Sequence, residues 1–223
     1  MALRVLIVAP EVPSLNALLT ADEIDAIAPS HTTDVITGTV TQARIMLRAS
    51  NQHYDIIHFV AHGGQEGVAL SDGLMKPEDI LQLARHTRAR LVFFNACLST
   101  VPGQLLIDTG VPAAVVHNTE VLDRNALRLA GYFYAELGAN GGDLRAAYHV
   151  ANPRDGSLSW LSNGNYQEQS TKVILAEIET LKTSAQARDA YQARLGLWLF
   201  WLAVTVGVDV AVSLLATLWF VAR

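Results

Sequence analysis

The chain has 223 residues, 51% of them hydrophobic, a formal net charge of −5 and one cysteine, Cys97. That length suits one domain of ordinary size plus an appendage. The acidic balance argues against nucleic-acid binding through phosphate neutralisation, and a single cysteine excludes both an intrachain disulfide and a multi-cysteine metal site.

In chain order, "RVLIVAP" (4–10) predicts a first strand, since its apolar run is too short for a signal peptide. A helix around 15–28 follows, then a strand at 33–38 and helical spacing over 41–50. "DIIHFVAH" (55–62) reads as a strand from its β-branched and aromatic content. "GVAL" (67–70) and "DGLM" (72–75) form a short hairpin or flap. The helix at 76–87 is well marked, with Pro77 in its first turn, Glu78 and Asp79 behind it and basic residues at its end. Strands are predicted at 89–96 and 113–118, and helices at 122–140 and 143–151, the first of these closed by "NGG". Strands alternating with helices predict an α/β fold: a mostly parallel sheet flanked by helices on both faces. Residues 1–151 form this core, and 152–170 read as a turn-rich connection.

The remainder has a different character. Residues 171–194 continue as a linker helix, and the 28 residues of 195–222 carry one charge, Asp209. Trp198 and Trp219 lie 21 residues apart, which at ~1.5 Å per residue is roughly one bilayer core with an indole at each interface. The segment therefore predicts a single C-terminal transmembrane helix. Lys182, Arg188 and Arg194 precede it and only Arg223 follows, so the positive-inside rule places the larger N-terminal part in the cytoplasm and makes the chain tail-anchored. Within the span, Thr205, Asp209, Ser213 and Thr217 recur at i+4 as a polar stripe, and Ala203, Gly207 and Ala211 as a small-residue stripe. A mid-span carboxylate costs about 2.5–3.5 kcal/mol on insertion scales, so it faces protein or water. Small residues let helices approach closely. Self-association and pairing with a basic residue in a partner helix both fit this pattern.

Two strand ends carry the reactive side chains. "YDIIHFVAHGG" (54–64) ends in His62 and a Gly pair, and "RLVFFNACLST" (90–100) holds Cys97. In a parallel sheet, ligands sit at the carboxyl ends of the strands. A histidine beside a cysteine stabilises thiolate and then protonates a leaving amine. Gly63 leaves the backbone open to a substrate, and the Gly63 and Cys97 N–H groups are candidates for an oxyanion site. The competing reading is a packed cysteine and a turn histidine. His58 and His62 lie about 13 Å apart if the segment is a strand, too far to share a metal. His58 is assigned to the sheet interior, and neither a metal nor a cofactor is expected.

These stretches, together with "GVPAAVVHNTEVLDRNALRLAGYFYAELGANGGDLRAAYHVA" (110–151), resemble the CHAT family, caspase-like peptidases related to separase. The resemblance covers about residues 1–151 and is carried by the combination of motifs. It implies a cysteine endopeptidase with His62 as general acid/base, Cys97 as nucleophile and Gly63 in the oxyanion site. Asp123 matches the family's Asp, read first as a turn or cap residue and second as a substrate contact. Glu66 and Asp72, in the flap after His62, either favour a basic P1 residue or belong to a solvated loop. Ala61, Leu98-Ser99-Thr100 and "HNTEVLD" (117–123) depart from the family pattern near the expected cleft. Members of the family often act as effectors in bacterial immunity, which implies a protein substrate and activation by a partner sensor or by homo-oligomeric assembly. The alternatives are a catalytically silent scaffold on the membrane and a membrane-disrupting effector whose soluble domain senses a partner.

Overall fold

The structure is a computed structural model that describes residues 2–16, 18–152 and 157–163. The linker helix and the membrane span predicted over 171–222, with Ala203, Thr205, Gly207, Asp209, Ala211, Ser213 and Thr217, lie outside the described residues. Among the described residues, no helix is long and apolar enough to cross a membrane.

The elements run β1 (Arg4–Pro10), α1 (Thr20–Ile27), β2 (Thr32–Gly38), α2 (Gln42–Ala49), β3 (Ile56–Val60), β4 (Gly63–Gly64), β5 (Gly67–Leu70), β6 (Gly73–Met75), α3 (Pro77–Thr87), β7 (Leu91–Asn95), α4 (Thr100–Asp108), β8 (Ala113–His117), α5 (Asp123–Ala139), α6 (Leu144–Ala151) and β9 (Leu158–Ser162). The main sheet has the order β2-β1-β3-β7-β8-β9. Its first five strands are parallel, and β9 pairs antiparallel with β8. Strands β4, β5 and β6 form a separate small antiparallel sheet between β3 and α3.

The central strands β3, β7 and β8 are buried along their whole length, which is why they read as unbroken apolar runs. Alternation sends Leu6, Val8, Ile57, Phe59, Val92 and Phe94 to one core, shared with Ile45 of α2, Ile80 and Leu83 of α3 and Leu106 of α4. The intervening residues Val5, Ile7, Ile56, Leu91, Phe93 and Val115 meet Ile27 of α1, Phe133, Tyr134 and Leu137 of α5, and Leu144 and Ala147 of α6. The polar strand residues His58, Asn95 and His117 share the parity of this second face and are buried.

Local chemistry sets the helix ends. Thr41 Oγ1 accepts from Arg44 N–H at the start of α2, and Asp143 accepts from Arg145 and Ala146 N–H at the start of α6. Pro77 opens α3, and Arg88 closes it in the left-handed region at φ 56°.

Two elements differ from expectation. No element is predicted over 100–108, where α4 lies with Pro102 and Gly103 in its first turns. Pro102 is tolerated there because first-turn N–H groups have no intrahelical acceptor. Gly103 is required by packing, since a Cβ would sit 2.3 Å from Val116 Cγ1. The turn-rich stretch 152–170 in turn contains β9, which extends the core sheet past residue 151.

His31 is buried under α5, where its ring meets Tyr134 edge-on and Nε2–H donates to the Tyr134 carbonyl at 3.2 Å. Burial holds its imidazole below the usual 6.5, against the carbonyl, which favours the charged form. Folding therefore favours neutral His31. Its contribution is fully present above the unfolded value of about 6.5 and is lost as the pH falls through that value toward the folded one. Tm is expected to drop between about pH 7.5 and 5.5, and His31→Gln to narrow the drop. His149, shifted the same way by burial and Arg145, leaves a remainder.

Candidate active site

Strands β3 and β7 pair in register from Ile56↔Leu91 to Val60↔Asn95. Just past that pairing, Ala61 N–H donates to the Asn95 carbonyl at 3.4 Å. The two chains then diverge, one into the β4–β6 sheet and the other into a tight turn that leads to α4. His62 and Cys97 both stand at this divergence, two residues beyond the ends of their strands.

Close contact holds the divergence together. A Cβ on Gly63 would lie 2.8 Å from Ala96 Cβ and 3.5 Å from the Cys97 carbonyl oxygen. Position 63 therefore needs glycine for proximity. The turn after Cys97 is tied to the next strand, with Leu98 N–H donating to the Thr119 carbonyl at 3.4 Å and Ser99 N–H to the His117 carbonyl at 2.9 Å. Leu98 takes φ 51° in that turn, a conformation that costs a non-glycine residue about 1–2 kcal/mol.

His62, Gly63, Cys97, Leu98, Glu120, Val121 and Leu122 line one cleft of about 460 Å³. His62 also borders a second, larger cavity of about 710 Å³ on the side of the β1–α1 connection, with Val12, Pro13, Leu15 and Ile24 among its walls. From that connection the Asn16 carbonyl accepts a 2.7 Å hydrogen bond from His62 Nε2–H. A carbonyl only accepts, so the bond places the ring hydrogen on Nε2 and leaves Nδ1 as the basic nitrogen of the neutral ring. Cys97 is half-buried; its Sγ accepts from Val121 N–H at 3.4 Å and its S–H points to the Val121 carbonyl at 3.8 Å.

The other predicted residues lie elsewhere. Glu66 is exposed in the turn between β4 and β5, and Asp72 Oδ2 accepts from Gln42 N–H at the start of α2. Neither is among the residues lining the cleft, whose charged wall is Glu120. Asp123 is the first residue of α5, directly after the cleft residue Leu122. Among the described residues, no cluster of His, Cys, Asp and Glu is arranged to hold a metal.

Sequence reasoning missed what stands behind the cleft. Glu23 of α1 is only 2% exposed. Its Oε1 accepts from His58 Nε2–H at 2.7 Å and from Asn95 Nδ2–H at 2.6 Å. His117 Nε2–H donates to Asn95 Oδ1 at 2.9 Å, and the Tyr134 hydroxyl donates to His58 Nδ1 at 3.1 Å. Burial first, and then the Glu23 charge, hold the Tyr134 phenol well above its usual range, so it stays a donor. The available signal was a single polar residue in each of three apolar strands, "IIHFV", "LVFFN" and "AAVVH". The Asn16 contact left no signal, because any residue supplies a carbonyl.

The fold is thus a mixed α/β one, with a mostly parallel central sheet that sets a histidine and a cysteine at one cleft beyond the ends of neighbouring strands. A family model described as the CHAT domain matches residues 8–154, and the chain belongs to that family. No curated protein matches the chain. Similar solved structures include the pyridoxal kinase from Staphylococcus aureus in complex with pyridoxal, at 12% identity and TM-score 0.34, covering 68% of this chain and 85% of that one. The pyridoxal kinase from Lactobacillus plantarum stands at 12% and 0.32, covering 67% and 85%. At these TM-scores the likeness carries no argument.

Gly63→Ala is expected to destabilise the protein by about 1–3 kcal/mol, because Ala96 and the backbone around Cys97 leave no room. Gly64→Ala, whose Cβ meets open space, should stay within about 0.5 kcal/mol. Urea unfolding of the two variants checks the contrast.

Proposed function

We propose that the protein is a membrane-anchored, caspase-like cysteine endopeptidase, a regulated effector of the bacterial defence type. The observation that carries this is the joint presence of His62 and Cys97 in one cleft, with the imidazole oriented from behind by the Asn16 carbonyl. In the proposed reaction, His62 Nδ1 takes the Cys97 proton as the thiolate attacks the scissile carbonyl carbon. The Gly63 N–H supports the oxyanion of the tetrahedral intermediate. The imidazolium returns the proton to the leaving amine, giving a thioester. Water, deprotonated by His62, then attacks the thioester and releases Cys97. The Nε2–H bond to Asn16 persists throughout and spreads the positive charge that the ring acquires.

The cleft walls bear on specificity. Leu98 is 37% exposed and Leu122 75% exposed, and Val121 completes an apolar side. A neutral apolar side chain fits this surface, and Glu120 tolerates a basic one at the edge. An acidic residue would lose both contacts.

The apolar segment 195–222 is proposed to anchor the domain at the membrane on its cytoplasmic side, where self-association through Asp209 and the small-residue stripe raises its local concentration. Activation by that assembly, or by a partner sensor protein, is part of the proposal.

Cys97→Ala and His62→Ala are each expected to abolish appearance of a cleaved protein product in expressing cells, with the protein level unchanged. Toxicity that survives both substitutions and disappears in Asp209→Leu would instead make the membrane segment the effector. Loss of toxicity without any cleavage product would favour the silent scaffold. Crosslinking in native membranes should show oligomers for the wild type and a loss of them in Asp209→Leu; a monomeric wild type would rule out self-association.

A further inference from the structure

The buried polar chain behind the cleft touches every segment that supplies the site. Glu23 belongs to α1, whose preceding connection carries Asn16, the partner of His62. His58, on β3, lies four residues before His62, and Asn95, the last residue of β7, lies two residues before Cys97. Asn95 is the bridge: its amide donates to Glu23 and its carbonyl accepts from His117. His117 then reaches around to the far side of the nucleophile, since its backbone N–H donates to Ser99 Oγ at 3.0 Å and its carbonyl accepts from Ser99 N–H at 2.9 Å. Cys97 is thus clamped between two residues, Asn95 and Ser99, that both hang on His117.

A charge buried this deeply is expensive unless it is hydrogen-bonded. Apolar residues at positions 23, 58 and 95 would cover the same area without that cost. Hydrogen bonds supply direction instead. Glu23 is 2%, His58 0%, Asn95 5% and Ser99 1% exposed, so solvent does not compete for these partners. Each bond fixes a group in a chain of contacts that ends at Asn95 and Ser99, two residues to either side of Cys97.

Resting on the peptidase reading above, we propose that Asn95, anchored by Glu23 and His117, is a positioning residue that holds Cys97 against His62. It touches no substrate. It sets where the strand end delivers the sulfur, while Glu23 ties that strand to the helix whose connection orients the imidazole.

The single cysteine makes the test direct, because alkylation by iodoacetamide reports Cys97 alone and needs neither an activator nor a substrate. The full chain is used in detergent, below the Tm of every variant, at neutral pH. A thiol paired with His62 reacts faster than an unpaired one, by about tenfold or more. His62→Ala should therefore slow alkylation by that order, and Asn95→Ala should slow it toward the His62→Ala rate. Glu23→Ala should slow it as well, and Glu23→Gln, which keeps a carbonyl acceptor, should recover most of the loss. A merely structural role predicts the opposite sign, because loosening the turn exposes a half-buried thiol and speeds its reaction. If Asn95→Ala does not fold, Ser99→Ala decides, since it removes one hydroxyl from the other side of the clamp and should slow alkylation a few-fold. Asn95→Ala or, in its place, Ser99→Ala reacting as fast as the wild type or faster overturns the positioning role, and with His62→Ala still slow the dyad stands. Equal rates for the wild type and His62→Ala remove the dyad, and the positioning role with it.

Discussion

One oxygen of Glu23 organises the second face of the sheet. Burying a carboxylate costs several kcal/mol unless its hydrogen bonds are replaced, so His58 and Asn95 must both point at α1. That requirement fixes the azimuth of a short helix that otherwise buries only Ile27. It also couples β3 to β7 through side chains, in addition to their backbone ladder. The aromatic rings of Phe93 and Tyr134 pack around His58, with centroids at 4.7 and 5.4 Å, and keep water from the pair. The polar chain and the apolar core are therefore one structure: the aromatics make the hydrogen bonds strong, and the hydrogen bonds choose the direction in which the helix lies.

The cleft follows from how parallel strands end. Within the sheet, neighbouring strands stand about 4.8 Å apart and leave no room for a ligand. Room appears only where the chains separate. β3 and β7 part just beyond Ala61 and Asn95, and His62 and Cys97 follow within two residues of that point. Close approach of Gly63 to Ala96 keeps the separation small. The left-handed Leu98 turns the chain sharply into α4 and leaves its own side chain on the cleft wall. Cys97 and one apolar wall residue thus come from the same turn, so a change at position 98 would alter both the cleft surface and the placement of the thiol.

Much of this architecture was readable from pattern. The runs around His58, Phe93 and Val115 are apolar on both faces, and only a strand covered on both sides needs that. His62 and Cys97 could be placed near the same end of the sheet because parallel connections return every strand in one direction. The helix α4 was not readable, because Pro102 and Gly103 are helix breakers in isolation; the first-turn position makes Pro102 acceptable, and close packing on Val116 requires Gly103. β9 was hidden among turn residues, since its five residues gain their order from pairing with β8. Glu23 reads as an ordinary acid of a predicted helix, and nothing local distinguishes it from exposed Asp22.

The amino-acid sequence by itself determined the layer order, the two buried faces of the central strands and the types of the two side chains, histidine and cysteine, beyond neighbouring strand ends, because hydrophobic period and residue chemistry are local properties. Tertiary structure alone decided three things. It set the Asn16 carbonyl on His62, which depends on where a loop passes and not on which residue it carries. It gathered Glu23, Asn95 and His117, separated by 72 and 22 positions, around shared hydrogens. It also put Glu120, and neither Glu66 nor Asp72, on the cleft. The physical reason is the same in each case: a hydrogen bond or a lining contact is a statement about distance, and distances across the chain exist only after the apolar faces have closed.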